Sequence, residues 1–107
     1  MRGYAGALFL AALLAAPWAA AQEDPAVRRG RAFARVNCGP CHAVGRADES
    51  PLKLAPPFRD LHRRYPVETL QESLAEGIIT GHPTMPQFRL ETNEIFDVIA
   101  YLKSLER

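Results

Sequence analysis

The chain is poor in several residue types that would point to common functions. It has 107 residues but only two cysteines, two methionines and one tryptophan. Two cysteines cannot supply the dense disulfide framework of a small secreted scaffold. The formal net charge is only +1, so the chain lacks the concentrated basic surface expected of a nucleic-acid-binding protein. No stretch alternates apolar and polar residues for long enough to predict a strand.

The N-terminal segment has the pattern of an export signal. Arg2 is followed by an apolar, alanine-rich run over residues 5–16, and then by a proline, a tryptophan and three alanines. A charged start, an apolar middle and a small-residue end are typical of a secretory signal peptide. We expect residues 1–21 to be removed by cleavage after Ala21, leaving residues 22–107 as one domain with no membrane span. The alternative is a retained anchor, but the apolar run is shorter than the ~20 residues needed to cross a bilayer.

Residues 22–107 are expected to build only a marginal core from their own side chains. Domains of this size usually depend on a disulfide, a metal or another staple. Arg2 is the only charged residue before residue 22, so the 13 basic and 12 acidic residues of the chain leave this domain neutral in sum. Composition therefore says little about function, and the placement of the two cysteines says much more.

Both cysteines lie in the run Cys38-Gly39-Pro40-Cys41-His42, which has the C-x-x-C-H spacing of covalent haem attachment. On a helical turn, positions i, i+3 and i+4 share one face. Both thiols could therefore add to haem vinyl groups while His42 approaches the iron from one side. Three alternatives use the same residues: a strained local disulfide, a thioredoxin-like redox pair and half of a zinc site. Haem is favoured because a zinc site needs further ligands and a thioredoxin motif needs βαβ surroundings.

The rest of the pattern predicts helices separated by irregular segments. Asp24 is the expected N-cap of the first helix, and Gly77 is expected to end the third. The hydroxyl of Thr92 is expected to cap the last helix. Glycines and prolines predict loops over residues 43–57 and 78–90. The predicted architecture is all-α, with helices over residues 25–37, 58–64, 66–76 and 92–105.

Met85 is the only methionine beyond the N-terminal segment, and it lies in an irregular stretch between Pro83 and Pro86. A lone methionine is often apolar filler of a core. Its position in a proline-braced loop, rather than on an apolar helical face, favours a thioether held towards iron. What fills the iron position opposite His42 decides between an electron carrier, a gas binder and a catalyst. His82, three residues before Met85, could compete for that position but is expected to brace the loop.

Taken together, these features resemble the class I cytochromes c of the short bacterial kind. The resemblance covers nearly all of residues 25–105. It implies a small fold of three to four helices wrapped around one covalently attached haem c. The matching elements are Gly30 eight positions before the first cysteine, the C-x-x-C-H run, and the segments Ala55-Pro56-Pro57-Phe58, Gly81-His82-Pro83-Thr84-Met85-Pro86 and Ile99-Ala100-Tyr101-Leu102-Lys103.

The resemblance implies a set of cofactor-binding residues: Cys38, Cys41, His42, Pro56 and Met85. His42 and Met85 would be the axial ligands of iron. Pro56 would offer its backbone carbonyl to the other imidazole N–H, a bond that fixes the tautomer of a ligating histidine.

The resemblance also implies how two helices meet. Gly30 would let the first and last helices cross closely, with Tyr101 packed at the crossing. Many members have an aromatic residue four positions before the first cysteine, where this chain has Ala34, so the packing between these helices is expected to be rearranged.

With both axial positions filled by protein, the haem could exchange only electrons. The implied protein is a periplasmic, monomeric electron carrier and not an enzyme. Its donor would be a dehydrogenase or a quinol-oxidising complex, and its acceptor a terminal oxidase or reductase. The main alternative is a haem enzyme or gas sensor in which Met85 does not ligate iron. A third possibility is a thiol-redox protein without haem.

Charged residues follow helical spacing on two of the predicted helices. Residues separated by three, four or seven positions share one face of a helix. The domain is therefore expected to be neutral in sum but polar in distribution, and such a distribution can steer a charged partner. The alternative is that the basic and the acidic stripe are ordinary solvated helix faces. The basic stripe is Arg28, Arg31 and Arg35, and the acidic stripe is Glu68, Glu72 and Glu76.

Overall fold

The computed structural model describes residues 2–3, 5–8, 10–12, 22–78 and 85–107. Ala21, the predicted cleavage position, and residues 79–84, which include His82 and Pro83, lie outside these ranges. The described part of the chain contains no strand, so the all-α prediction is confirmed. None of its helices is both long and apolar enough to cross a membrane. The helices are α1 (Pro25–Asn37), α2 (Leu70–Glu76) and α3 (Thr92–Ser104), with 3₁₀ helices at Phe58–Arg63 and Val67–Thr69.

Helix α1 begins and ends as predicted. The Asp24 side chain accepts a hydrogen bond from the Ala26 backbone N–H at 2.9 Å, which caps the first turn. At the other end, the N–H groups of Cys38 and Gly39 both donate to the Ala34 carbonyl at 2.8 Å. The helix therefore leads without a break into the cysteine run.

The predicted helix after Pro66 begins differently. It starts as the 3₁₀ helix Val67–Thr69 and becomes α-helical only at Leu70. The reason is local: the Thr69 N–H and hydroxyl both donate to the Pro66 carbonyl, at 3.1 and 2.7 Å, which tightens the first turn. The end of α2 is as predicted, because Gly77 has a φ of 101°, a conformation that favours glycine.

The predicted cap of α3 is wrong by one residue. The N-cap is Glu91, and its backbone N–H donates to the Glu94 side chain at 2.9 Å. Thr92 is instead the first residue inside the helix. The predicted helix over residues 58–64 is present as the 3₁₀ helix Phe58–Arg63.

Helices α1 and α3 cross in direct backbone contact at Gly30. A Cβ atom placed on Gly30 would lie 2.6 Å from the Asp97 carbonyl carbon and 2.8 Å from the Tyr101 Cβ. The close crossing that the resemblance implied is therefore present. Beside it, the buried Asp97 carboxylate accepts two hydrogen bonds from Arg29, at 2.9 and 3.0 Å. This bidentate pair holds the two helices in register.

We expect Gly30→Ala to destabilise the protein although alanine is the better helix former. Propensity alone would stabilise the helix by ~1 kcal/mol. The added methyl group, however, would overlap the backbone of α3, and overpacking costs roughly 1–3 kcal/mol. The thermal unfolding midpoint should therefore fall. Ala32→Gly, on the exposed side of α1, measures the propensity contribution alone, and a raised midpoint for Gly30→Ala would contradict the close crossing.

The core lies where α1 and α3 meet the two 3₁₀ helices, and it is thin beside α2. Val67, Leu102 and Tyr101 are at most 3% exposed, whereas α2 contributes no buried residue. Leu70 and Leu74 of α2 only pack against the core in part. The buried cluster consists of Ala34, Val44, Phe58, Leu61, Val67, Leu90, Val98, Ile99, Tyr101, Leu102 and Leu105.

The Tyr101 hydroxyl donates a hydrogen bond to the Val44 carbonyl inside this core. Burial raises the pKa of Tyr101, so the hydroxyl stays protonated. Tyr101→Phe should lower the free energy of unfolding by about 1–3 kcal/mol, because the buried Val44 carbonyl loses its donor. Denaturant titration measures this. Tyr65→Phe removes a hydroxyl from a residue that is 37% exposed and should cost much less; equal losses would contradict the assigned role of the Val44 bond.

Candidate functional site

The Cys38–His42 run forms one helical turn directly after α1. The N–H groups of Cys41 and His42 both donate to the Cys38 carbonyl, at 3.2 and 2.9 Å. The backbone of the run thus forms the helical turn that its spacing predicts, in which positions i, i+3 and i+4 share a face. Both cysteines are free and half-buried.

Gly39 fits this turn because the chain passes close to the end of α1. A Cβ atom at Gly39 would lie 2.5 Å from the Arg35 carbonyl oxygen. A larger residue would push the run away from the helix. The C-x-x-C-H motif leaves this position open, so the requirement for glycine is visible only in the structure.

The Cys38 thiol lacks the lowered pKa that thiol–disulfide exchange requires. Burial raises its pKa to about 11, so it is a neutral thiol at physiological pH. Thiol–disulfide oxidoreductases depend on the opposite shift, because the thiolate is the attacking group. This disfavours the thioredoxin-like alternative. In the ranges that the structure describes, no group of three or more His, Cys, Asp and Glu side chains is gathered as a metal cage.

His42 is held by the end of the loop over residues 43–57. Its Nδ1 lies 2.8 Å from the Pro56 carbonyl oxygen. Because a carbonyl can only accept, Nδ1 carries the proton and donates it. In the neutral ring, Nε2 then keeps its lone pair, which is the state of a metal-ligating nitrogen. The Phe58 ring packs against the same imidazole, with ring centroids 5.1 Å apart.

Three hydrogen bonds fix the main chain beside His42. One joins the loop over residues 43–57 to Cys41, and the other two hold Ala43, the residue that follows His42. Ser50 is a residue that sequence reasoning missed, because a single serine in a loop has no recognisable pattern. The bonds run from Leu52 N–H to Cys41 O at 3.1 Å, from Ala43 N–H to Ser50 Oγ at 2.9 Å, and from Phe58 N–H to Ala43 O at 2.9 Å.

Met85 lies on a separate segment, in a half-buried bend. Both ends of its loop are fixed by backbone hydrogen bonds. The Ile78 N–H donates to the Phe88 carbonyl at 3.1 Å, and the Leu90 N–H donates to the Leu74 carbonyl at 2.8 Å. The loop is thus anchored to α2. Of the five predicted site residues, four lie together, namely Cys38, Cys41, His42 and Pro56. Met85 belongs to this second anchored segment.

The structure changes the interpretation of both charge stripes. Arg31 pairs with Glu23, and the hydrogen bond from the guanidinium lowers the pKa of the Glu23 carboxyl. Glu68 pairs with Lys103 of α3, which lowers the Glu68 pKa in the same way. These two stripe residues are therefore partly neutralised by neighbours. The other members, Arg28, Arg35, Glu72 and Glu76, are exposed.

Comparison with known proteins agrees with this geometry. Residues 25–102 match the family described as cytochrome c oxidase, cbb3-type, subunit III. The chain is also 33% identical over 76 residues to cytochrome c-552 of Bradyrhizobium diazoefficiens, a stretch that covers 71% of each chain. The chain belongs to the class I cytochromes c. It is accordingly a c-type cytochrome that carries electrons, and haem c is the cofactor that its family implies. No solved structure matches this cytochrome.

Proposed function

We propose that this cytochrome is a periplasmic carrier of single electrons, with one haem c per chain ligated by His42 and Met85. The observation that carries the proposal is the His42 imidazole, whose Nδ1–H donates to the Pro56 carbonyl at 2.8 Å. Beside it on the same turn are two free thiols. This donor set fits haem c, since two thiols suit thioether attachment and a nitrogen with a lone pair suits iron.

When bound, haem c supplies an iron centre that gains and loses one electron. Cys38 and Cys41 would hold it through thioether bonds, and His42 would ligate it through Nε2. Pro56 keeps the proton on Nδ1, which leaves Nε2 free and raises its basicity. Met85 would ligate from the other side through a thioether that favours the reduced state. With both sides filled by protein, a substrate has no open position, and electron transfer is the chemistry that is left.

The export pattern of residues 1–21 supports a periplasmic location after cleavage at Ala21, with residues 22–107 as the cytochrome domain. The partners would be redox proteins: a dehydrogenase or quinol-oxidising complex as donor and a terminal oxidase or reductase as acceptor. The oxidase subunit named in the family description favours a terminal oxidase. We propose that the mature cytochrome is a monomer.

Mass and visible spectra of the protein isolated from the periplasm test these parts together. We expect the mass of residues 22–107 plus one haem, and a weak long-wavelength sulfur-to-iron band in the oxidised form. Attached haem without that band would favour the haem enzyme or gas sensor instead. A colourless protein would contradict the proposed haem cofactor. A mass that includes residues 1–21 would contradict the proposed cleavage.

Arg35 is exposed near the end of α1, three positions before Cys38, and we expect it to steer anionic partners. Arg35→Glu should slow oxidation of the reduced protein by ferricyanide several-fold at low ionic strength. Exposed charges act over roughly a Debye length, ~10 Å at 0.1 M salt. The reduction potential should hardly change, because such charges interact weakly through water.

Stopped-flow rates over a salt series measure this effect. Glu72→Lys, at an exposed position of α2 and not of the helix that leads into the cysteine run, alters the charge by the same amount in the opposite sense. It should change the rate much less. A cationic cobalt oxidant should react faster, not slower, with Arg35→Glu. If the rate depends neither on the salt concentration nor on Arg35→Glu, the basic stripe is an ordinary solvated face.

A further inference from the structure

The Phe58 side chain lies against the His42 imidazole, with ring centroids 5.1 Å apart and ring planes inclined at 47°. Phe58 is 8% exposed and belongs to the buried cluster. Its backbone N–H donates to the Ala43 carbonyl at 2.9 Å, one residue after His42. Phe58 is therefore fixed through both its ring and its main chain, and it presents a rigid aromatic surface to the imidazole.

The main chain around His42 is already immobile. Hydrogen bonds fix the carbonyls of Cys41, Ala43 and Val44, whose donors are Leu52, Phe58 and the Tyr101 hydroxyl. What freedom His42 retains lies in its ring. The torsion that turns an imidazole about its Cβ–Cγ bond is broad and has no sharp intrinsic minimum.

The Pro56 hydrogen bond removes only part of that freedom. It fixes the distance from Nδ1 to the carbonyl oxygen, at 2.8 Å. Hydrogen bonds nevertheless tolerate bending and weaken steeply only below ~120°. A rocking ring could therefore keep the bond to Pro56 while its plane turns. An inclined aromatic contact resists that rotation, because turning the imidazole would press it into the Phe58 ring or open a gap beside it.

We propose that Phe58 is a positioning residue that fixes the plane of the His42 imidazole about its ligating axis. The proposal rests on the proposed role of His42 as an iron ligand. Pro56 and Phe58 are two residues apart, so one short segment supplies both the hydrogen bond and the ring contact. The plane of an axial imidazole selects which porphyrin orbital carries the unpaired electron of the oxidised iron. Phe58 would thereby control the electronic asymmetry of the oxidised state.

Three variants of the full-length holoprotein test this role. Phe58→Leu keeps an apolar side chain but removes the flat ring, and Phe58→Tyr restores a ring. Leu61→Ala is the matched control, because Leu61 belongs to the same 3₁₀ helix and is 6% exposed. It creates a core defect in the same helix while the Phe58 ring remains. If Phe58→Leu fails to acquire haem, Phe58→Met takes its place, since it also removes the ring while preserving apolar volume.

Proton NMR of the oxidised protein supplies the readout. The shifts of the four haem methyl groups follow the unpaired spin at each pyrrole ring, which depends on the orientation of both axial ligands. In variants whose Met85 methyl resonance is unchanged, the order of these shifts therefore reports the imidazole plane. Phe58→Leu should change that order, Phe58→Tyr should keep it, and Leu61→Ala should lower the unfolding midpoint while keeping it. An unchanged order in Phe58→Leu, or the same change in Leu61→Ala, would overturn the proposal.

Failure of the proposed ligation would be seen separately. Without a histidine ligand, the oxidised wild-type protein would itself lack the strongly shifted resonances of a bound imidazole, before any substitution is made. If the wild-type spectrum shows these resonances and the Phe58→Leu spectrum is unaltered, His42 is the ligand and only the proposed role of Phe58 is wrong.

Discussion

Replacing Met85 with alanine should lower the reduction potential and open one iron position to added ligands. A thioether is a soft ligand that favours the reduced iron, and its loss removes that preference. Axial ligands tune haem potentials over ~0.8 V, so the shift should be a large part of that range and not a minor one. Potentiometric titration and binding of imidazole or cyanide to the oxidised protein measure the two effects.

The loop around Met85 offers matched controls. Met85→Leu keeps apolar volume without the sulfur and should shift the potential as Met85→Ala does. Gln87→Ala, at an exposed position of the same loop, should leave the potential unchanged. The backbone bond from Ile78 to Phe88 keeps the loop closed in all three variants. A wild-type potential and spectrum in Met85→Ala would show that the sulfur does not ligate.

A nitrogen ligand could replace the lost thioether in Met85→Ala. His82, three positions earlier, is the candidate in this loop. A low potential without an open position would indicate such a replacement, and Met85→Ala/His82→Ala should then recover binding of added ligands. This outcome still requires that Met85 is the ligand in the unsubstituted protein.

The long helices could be predicted from the sequence because local signals agree there. Helix α1 has a capping aspartate and a proline at its start, and its cap and bounds are those predicted. The errors occur where two local signals compete. Thr69 bonds back to Pro66 and delays α2. At the start of α3, the bond from the Glu91 N–H to the Glu94 side chain places the cap one residue before the predicted Thr92.

The candidate site also has one part that the sequence predicts and one part that the fold brings together. Cys38, Cys41 and His42 are neighbours in sequence, so their spacing alone brings them together. Pro56 is 14 positions from His42, and residue patterns alone do not pair them; only the family resemblance did. The Ser50 bond to Ala43 depends on the path of a loop that no periodicity encodes.

The charge stripes show a further limit of sequence reasoning. Helical spacing correctly groups Arg28, Arg31 and Arg35 on α1, but it does not reveal neighbours outside the helix. Glu23 precedes α1 and pairs with Arg31. The steering surface is therefore smaller than the spacing suggests, and this is why Arg35 is the better position for a charge reversal.

Finally, the double variant Cys38→Ala/Cys41→Ala should lose cooperative folding. Each substitution replaces a thiol with a methyl group, so the direct loss of core volume is small. On the proposed function, the substitutions remove the covalent attachment of haem, and a domain of this size usually needs such a staple. Helix α2 contributes no buried residue, and its Leu70 and Leu74 are only partly buried. The chain's own side chains therefore leave little to hold α2 in place.

Circular dichroism during heating measures this expectation, as a broad and shallow loss of helix in place of a sharp transition. Val67→Ala is the matched control, since it weakens the core by roughly 1.5–3 kcal/mol while both thiols remain. Its transition should move to lower temperature but stay sharp. Cys41→Ala keeps the Cys38 thiol for one of the two proposed thioether bonds and should fall between the two. A sharp transition at the wild-type temperature in the double variant would show that the polypeptide folds without its cofactor, in spite of its thin core.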